Sequence, residues 1–355
     1  MKTWTSIFGV SEIALRIPSI IFSLITVYIV FLIIKKISNE KKALWGAAFI
    51  AFNPLLIYYA QEARMYAMVT MLIALAVYAK IRAKKMEMYI WSFLSFATFY
   101  GSIFILLALD FFNFGLYGSI LILLPLILRQ YAISKTLLGD VVNWKLTLGV
   151  INLKNILLIF VKLISGRIDF IKIYLVPIII IWWMALRSGL KNKFFLRLLV
   201  LPLIFAFAFS LKVPMMQYFR FQYLIVPLSI LLAIKYKNNL LFLFIFVLFS
   251  FMYLLNSNNY REDWKSMAKE LPKNIYMIGS FADPINYYRK DIKVVDIKQV
   301  KPTENNFVYI PYGETIHGFD HKKIFEGLGY VQVAEKNFRG LSFAEFAIAR
   351  NVNKD

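Results

Sequence analysis

Nine consecutive residues, Tyr58-Tyr59-Ala60-Gln61-Glu62-Ala63-Arg64-Met65-Tyr66, place a carboxylate, a guanidinium, an amide and three phenols between two strongly apolar stretches. Arginine presents a planar fork that matches the oxygens of a phosphate. A glutamate beside it can accept a proton or bind a cation. Left unpaired inside a membrane, such groups cost several kcal/mol, so they call for a reason. Two readings fit these residues: a phosphate-handling site, or a Glu62–Arg64 surface turn flanked by the tyrosine belt of a membrane interface.

A second constellation is Val213-Pro214-Met215-Met216-Gln217-Tyr218-Phe219-Arg220-Phe221-Gln222-Tyr223, ahead of Pro227. Here Arg220 stands at the mouth of an apolar segment beside tyrosine and glutamine. It either serves a site or snorkels to the interface. Glu12 and Arg16 stand four residues apart, the spacing of an ion pair on one helix face. Asp110 reads as a loop residue. The two histidines, His317 and His321, read as exposed polar side chains of a hydrophilic tail and not as ligands.

The elements that must position these groups follow from composition. The chain has 355 residues, of which 60% are hydrophobic and only 17% charged. Soluble domains carry about a quarter charged residues. Apolar runs of about 18 residues or more recur through the first 255 positions, the signature of membrane-spanning helices. With 41 basic and 20 acidic residues the net charge is +21. In a soluble chain that excess points to nucleic acid; here it lies in loops, where it fits cytoplasmic lysines and arginines facing anionic headgroups. No nucleic-acid partner is expected. The absence of cysteine excludes disulfides, zinc–thiolate sites and a cysteine nucleophile.

The first apolar segment, about 13–34, is too long for a signal-peptide core and lacks a small-residue cleavage site. It ends at Lys35, Lys36, Lys41 and Lys42, which marks the cytoplasmic side. A second helix is predicted over Ala43–Tyr59, with Pro54 near its end. The Gln61–Arg64 turn then lies outside, and a third helix over Met65–Ala79 returns to Lys80, Arg82, Lys84 and Lys85. Residues 88–131 accommodate two long helices or three short ones, and the basic loop Arg187–Arg197 favours three. The segment 152–166 alternates polar and apolar faces, as a helix lying in the interface does. Further spans are expected at about 173–186, 194–211, 220–234 and 240–255. The expected fold is therefore an all-α polytopic membrane domain, 1–255, of about nine or ten transmembrane helices with ten favoured. A small α/β soluble domain, 256–355, follows it. Within that domain Arg261–Leu271 and His321–Leu328 read as helices, and five runs read as strands: 275–278, 294–297, 307–310, 330–333 and 343–348. No internal repeat stands out.

At this point the residues carry a resemblance. Ser11-Glu12-Ile13-Ala14-Leu15-Arg16-Ile17-Pro18-Ser19, then Asn53-Pro54-Leu55, then Tyr58 to Tyr66 resemble consecutive motifs of GT-C membrane glycosyltransferases. The branch is the dolichyl-phosphate-mannose–protein mannosyltransferase-like and aminoarabinose-transferase-like group. Gln61-Glu62-Ala63-Arg64-Met65-Tyr66 is the specific part. The spacing Arg220 to Pro227 resembles a later helix start of the family, with Phe221 where a tyrosine is usual. Glu262-Asp263-Trp264 resembles the segment that opens its C-terminal domain.

The resemblance implies transfer of a sugar from a polyprenyl-phosphate-linked donor to a protein, lipid or glycan acceptor on the outer face of the cell membrane. The C-terminal domain would be extracytoplasmic. Glu62 would line the site as a substitute base or cation ligand. Arg64, Gln61, Tyr59, Tyr66, Arg220 and Arg16 would bind the donor and its lipid phosphate. No resident cofactor follows, although a divalent cation would suit the departing phosphate. Family members open with a further helix and an outer loop holding an acidic catalytic residue, and the motifs here begin downstream of that point. A non-catalytic membrane partner that binds lipid-linked sugar is therefore the alternative expectation. A transporter fits less well, because neither repeats nor broken polar helices at the midplane are evident.

Overall fold

The computed structural model describes residues 2–139, 141–169, 172–236 and 239–349, so the last stretch of the expected soluble domain, 350–355, lies outside the described residues. The chain divides into two compact units, Met1–Tyr131 with Leu148–Asn259, and Ala132–Thr147 with Tyr260–Asp355. The boundary expected after residue 255 thus falls after Asn259, and the second unit takes in Ala132–Thr147. Asn143 explains the grouping: its backbone N–H donates to the Ile316 carbonyl at 2.9 Å and its side-chain amide donates to the Thr315 carbonyl at 2.8 Å.

The first unit opens with α1 (Lys2–Phe8), which the sequence did not suggest, and α2 (Glu12–Ile37). Ser11 caps α2, accepting the Ala14 N–H at 3.2 Å. The predicted helix over Ala43–Tyr59 is two helices, α3 (Glu40–Ala51) and α4 (Pro54–Ala60), bent by 61°. Pro54 is the cause. It disfavours helical geometry at the residue before it and is pre-set for the first turn of a new helix. Asn53 completes the break. Its side-chain oxygen accepts the N–H groups of Leu55 (3.0 Å) and Leu56 (3.1 Å), and its amide donates to the Leu163 carbonyl at 2.9 Å. Asn53 is fully buried, so Asn53→Ala strands two helix N–H groups and one carbonyl. A loss of about 3 kcal/mol is expected from buried orphans worth ~1–3 kcal/mol each, read as a lower melting temperature of the purified protein; an unchanged melting temperature would remove Asn53 as the pin of this bend.

Three helices then occupy the ambiguous stretch 88–131: α6 (Lys85–Thr98), which follows α5 (Met65–Ile81), then α7 (Ile103–Leu109) and α8 (Phe114–Gly139). A short 3-10 turn at Tyr100–Ser102 precedes α7. Asp110 ends α7 and is more than a loop residue, because Lys80 pairs with it at 2.6 Å. The chain continues through α9 (Trp144–Leu148), α10 (Leu153–Ser165), α11 (Leu175–Gly189), α12 (Lys193–Ser210), α13 (Ile225–Lys235) and α14 (Leu240–Leu255). The span expected from residue 220 begins as a 3-10 turn, Tyr218–Leu224, before α13 starts.

Among the described residues six helical stretches are long and apolar enough to cross a membrane, namely α2, α8, α12 and the stretches 144–165, 172–189 and 218–235 that take in α9 with α10, α11 and α13; they are seven if α3 and α4 form one broken span. Shorter apolar helices, α5, α14 and the Tyr100–Leu109 segment, accompany them. Every residue from Ile225 to Ala233 of α13 is buried, whereas α8 buries only Gly115, Leu116 and Ser119. A helix apolar on all sides yet mostly exposed is a lipid-facing helix, and one buried on all sides is the centre of the bundle.

The second unit carries a five-stranded sheet of order β2-β1-β3-β5-β4, from β1 (Asn274–Met277), β2 (Lys293–Asp296), β3 (Asn306–Ile310), β4 (Tyr330–Phe338) and β5 (Leu341–Ile348). β1 pairs in parallel with β2 and β3, while β5 is antiparallel to both β3 and β4. Alternation assigns the faces. Ile275, Met277, Val308 and Ile310 pack into one apolar layer with Met267 and Leu271, and Tyr276, Ile278, Phe307 and Tyr309 into the other with Phe325 and Phe346. Helices α15 (Trp264–Glu270), α16 (Asp283–Tyr288), α17 (Glu314–His317) and α18 (His321–Gly327) complete the unit. The first is shorter than the predicted Arg261–Leu271, because Asp263 caps it by accepting the Ser266 N–H at 3.0 Å. α16 was missed, although Pro284 at its first turn marks it.

Two carboxylates outside the bundle link the second unit's stability to pH. A two-point hydrogen bond from Arg289, 2.6 Å on each oxygen, holds Asp291 down to about 2. The Tyr276 hydroxyl, donating at 2.6 Å, holds Glu304 below its ordinary range. Both folded values are depressed, so their contribution is fully present above the unfolded value of about 4 and is lost as pH falls toward about 2. Hydrogen exchange in the sheet, corrected for the intrinsic rate, is expected to speed up over that window. Glu304→Gln should flatten the dependence, and an unchanged profile would refute the linkage.

Candidate functional site

The Gln61–Arg64 connection is wound tightly between α4 and α5. The Gln61 N–H donates to Tyr58 (3.1 Å), that of Glu62 to Tyr59 (3.4 Å) and that of Arg64 to Glu62 (2.8 Å). Ser19 of α2, one turn beyond Arg16, donates its hydroxyl to the Glu62 carbonyl at 2.6 Å and anchors the turn. The Glu62 side chain is mostly buried, only 13% exposed, while that of Arg64 is 45% exposed, and the two stand 3.9 Å apart. Arg64 occupies the N-cap position of α5 in extended geometry, and its side chain makes no cap. The guanidinium and the N-terminal N–H groups of α5 thus share one region, and both favour an anion.

Behind this turn lies an aromatic block. The rings of Tyr58 and Tyr59 meet edge-on at 4.9 Å, and those of Tyr59 and Tyr66 at 5.0 Å. Tyr66 also packs on Phe219 at 5.4 Å and on Phe99 at 5.8 Å. All three tyrosines are buried. Phe219 directly precedes Arg220, and Tyr66 follows Arg64 by two residues, so two motifs more than 150 residues apart in sequence meet at the Tyr66 ring. Arg220 is half-buried at the 3-10 turn before α13, where Phe221 departs from helical geometry.

The structure thus brings together Tyr59, Gln61, Glu62, Arg64, Tyr66 and Arg220. Arg16 makes the ion pair with Glu12 that their spacing predicts, at 3.3 Å on its own helix, one turn before Ser19. One residue here had no motif to announce it. Arg167 donates to the Tyr58 hydroxyl at 2.7 Å and lies 5.0 Å from the centre of the same ring. The available signal was Gly166, which stops α10 and turns the next residue away from the helix.

Apolar space adjoins the cluster. A cavity of about 300 Å³ runs between Ile20, Leu24 and Val27 of α2 and Leu56, Ile57 and Gln61 at α4. Ser23 and Gln61 are the polar residues of its wall. A second apolar cavity, of about 310 Å³, lies among Phe160, Trp182, Leu203 and Met216. Among the described residues no group of three or more histidines, aspartates or glutamates converges on a metal position.

Comparison with known proteins agrees with the motifs. The family model described as dolichyl-phosphate-mannose-protein mannosyltransferase matches residues 1–106, the stretch that holds the Ser11, Asn53 and Tyr58 motifs. The crystal structure of ArnT from Cupriavidus metallidurans in the apo state matches with a TM-score of 0.53 at 10% sequence identity, covering 97% of this chain and 85% of that one. At that identity the likeness is one of fold, and it extends over nearly the whole chain. No curated protein matches the chain significantly. The resemblance to GT-C membrane glycosyltransferases is upheld by sequence over the first third and by fold beyond it.

Proposed function

We propose that the chain is a membrane glycosyltransferase. It moves a sugar from a polyprenyl-phosphate-linked donor to a protein, lipid or glycan acceptor on the outer face of the plasma membrane. The observation that carries this reading is the packing of Phe219, the neighbour of Arg220, on the buried Tyr66 two residues after Arg64, with an apolar cavity at Gln61 of the same turn. An apolar cavity with Gln61 and Ser23 as its polar wall suits part of an isoprenoid chain next to its phosphate. Two guanidinium groups suit the charge that develops when the sugar leaves that phosphate. Tyr59 and Tyr66 offer phenol hydroxyls and ring faces to a sugar.

In this reading Arg64 and Arg220 hold the departing lipid phosphate. The acceptor hydroxyl attacks the anomeric carbon as the bond from that carbon to the phosphate oxygen breaks, and the acceptor's proton must be taken by a base. Glu62 is the carboxylate 3.9 Å from the Arg64 guanidinium and the proposed acceptor of that proton. The lysines after α2 put the Gln61–Arg64 turn on the outer side. α10 buries one apolar face and keeps Lys154 and Asn155 on another, and by that two-sidedness it is assigned to the interface, although the stretch 144–165 is long enough to span. The C-terminal unit is assigned to the extracytoplasmic side.

The test is transfer of labelled sugar from synthetic polyprenyl-phosphate donors, each bearing one sugar, by the protein reconstituted with an acceptor-containing membrane extract. Label is expected to leave the polyprenyl fraction with one of the donors. Retention of every donor, bound tightly but never turned over, would replace the transferase by a non-catalytic partner that binds lipid-linked sugar.

A further inference from the structure

We infer that the loops at the carboxyl ends of β1, β2 and β3 form a second site, which holds the oxyanion of a phosphate monoester through Ser280, Lys298 and His317. The topology makes that place a point where connections part. β1 lies between β2 and β3 and runs parallel to both, so the chain leaves β1 toward β2 and leaves β3 toward the opposite edge. Where connections diverge at the carboxyl ends of parallel strands, the loops part and a ligand can enter.

Three loops bring chemistry to that place, one from each strand. Ser280 follows β1, Lys298 follows β2, and His317 ends the short helix after β3. The Ser280 hydroxyl lies 3.4 Å from His317 Nε2, and the Lys298 ammonium lies 3.4 Å from His317 Nδ1. An ammonium only donates, so Nδ1 is the accepting nitrogen, and in the neutral ring Nε2 carries the proton and donates to Ser280. The serine hydroxyl then keeps its own proton as a donor, and the Lys298 ammonium has further protons to give. His317 becomes a donor to the oxyanion on taking a proton at Nδ1, which releases Lys298 to the anion; the serine is not activated for attack. Burial and the neighbouring Lys298 hold His317 below its ordinary range against the opposite pull of Asp296, and a bound oxyanion would act in the same sense as Asp296.

The groups are fixed in place. Glu314 opens the helix that ends at His317. It accepts the Tyr309 hydroxyl at 2.6 Å and sits 2.8 Å from His321 Nδ1. His321 is therefore no exposed tail residue, as the sequence suggested, but 9% exposed and packed on Tyr309 and Phe325. The loops also touch each other closely. A Cβ on Gly279 would stand 2.9 Å from the Asp296 carboxylate, and one on Gly313 would stand 2.1 Å from the Phe281 ring. Asp296 is engaged by the Lys298 backbone N–H at 3.1 Å. Phe281 and Tyr312 flank the group with rings 5.3 Å apart, and Phe281 meets His317 at 5.7 Å. Neither the family match, which ends at residue 106, nor the candidate site at Arg64 accounts for this arrangement.

Equilibrium dialysis of the full chain in detergent against radiolabelled inorganic phosphate tests the site. Saturable retention is expected. Lys298→Met and His317→Gln should each weaken it about tenfold, as loss of a charge-assisted contact does, with sheet hydrogen exchange unchanged. Arg64→Ala should leave it intact, which separates this site from the proposed transferase centre. Displacement by glycerol 3-phosphate would mark a soluble monoester, and displacement by a short-chain phosphatidic acid a lipid headgroup; either supports the site when it depends on Lys298. No saturable retention by the wild-type chain, or retention that depends on Arg64 and not on Lys298, would overturn the inference.

Discussion

Arg64→Ala is expected to insert, fold and melt like the wild-type protein, yet to transfer sugar about 10²–10³-fold more slowly, the usual loss when one preorganised charge-stabilising donor is removed. The separation of the two effects follows from the local geometry. The Arg64 side chain is half exposed, gives α5 no cap, and faces Glu62 only at 3.9 Å. An ion pair that loose contributes on the order of 1 kcal/mol or less. The tight turn itself is held by backbone hydrogen bonds and by Ser19, none of which the substitution touches. What the variant loses is positive charge beside the uncapped start of α5. Arg64→Lys keeps the charge but not the planar fork, so its transfer rate should fall between the two. The loss should appear in kcat more than in donor binding, because the phosphate gains charge as the sugar departs. Wild-type rates in Arg64→Ala would remove Arg64 from the site and leave Arg220 as the cation to test.

The site was legible where its residues are contiguous and dark where folding assembles it. Gln61 to Tyr66 could be read because an ionic turn between two apolar helices is costly and therefore conspicuous. Arg220 was visible as a charge at a helix mouth, but its meeting with Tyr66 depends on the 3-10 turn that delays α13, which hydropathy does not register. Arg16 shows the opposite case: it stands in a recognisable motif, and the structure pairs it with Glu12. Arg167 was hidden because a lone arginine after an apolar run looks like an ordinary basic flank. The central strands of the C-terminal unit were readable as short apolar runs, since both faces of the sheet are covered. His321 was misread because composition around it is polar, whereas its partners Tyr309, Glu314 and Phe346 come from other elements.

The bend at Asn53-Pro54 leads to the second large expected effect, at Gly166. This residue ends α10 at φ +63°, ψ −141°, close to a region that glycine alone enters without strain. A Cβ there would stand 2.7 Å from the Pro54 Cβ and 2.9 Å from the Pro54 carbonyl carbon. The obstacle is the start of α4, which cannot rotate aside as a flexible side chain would. Nor can α4 retreat freely, because Asn53 ties its first turn to Leu163, three residues before Gly166. Backbone strain and overlap therefore add, and Gly166→Ala should cost about 3 kcal/mol or more, seen as a marked fall in melting temperature. Gly118→Ala is the control. Gly118 lies inside α8 with nothing within 4 Å of its added Cβ, so that change should be neutral or stabilise by up to ~1 kcal/mol. Gly166 also precedes Arg167, whose two contacts hold Tyr58 against Tyr59. Any Gly166→Ala protein that survives should thus lose transfer activity as well, without altering a residue of the Arg64 turn. Coincident melting of the Gly166 and Gly118 variants would mean that α4 and α10 slide past one another at little cost, and that the aromatic block, not this contact, fixes the turn.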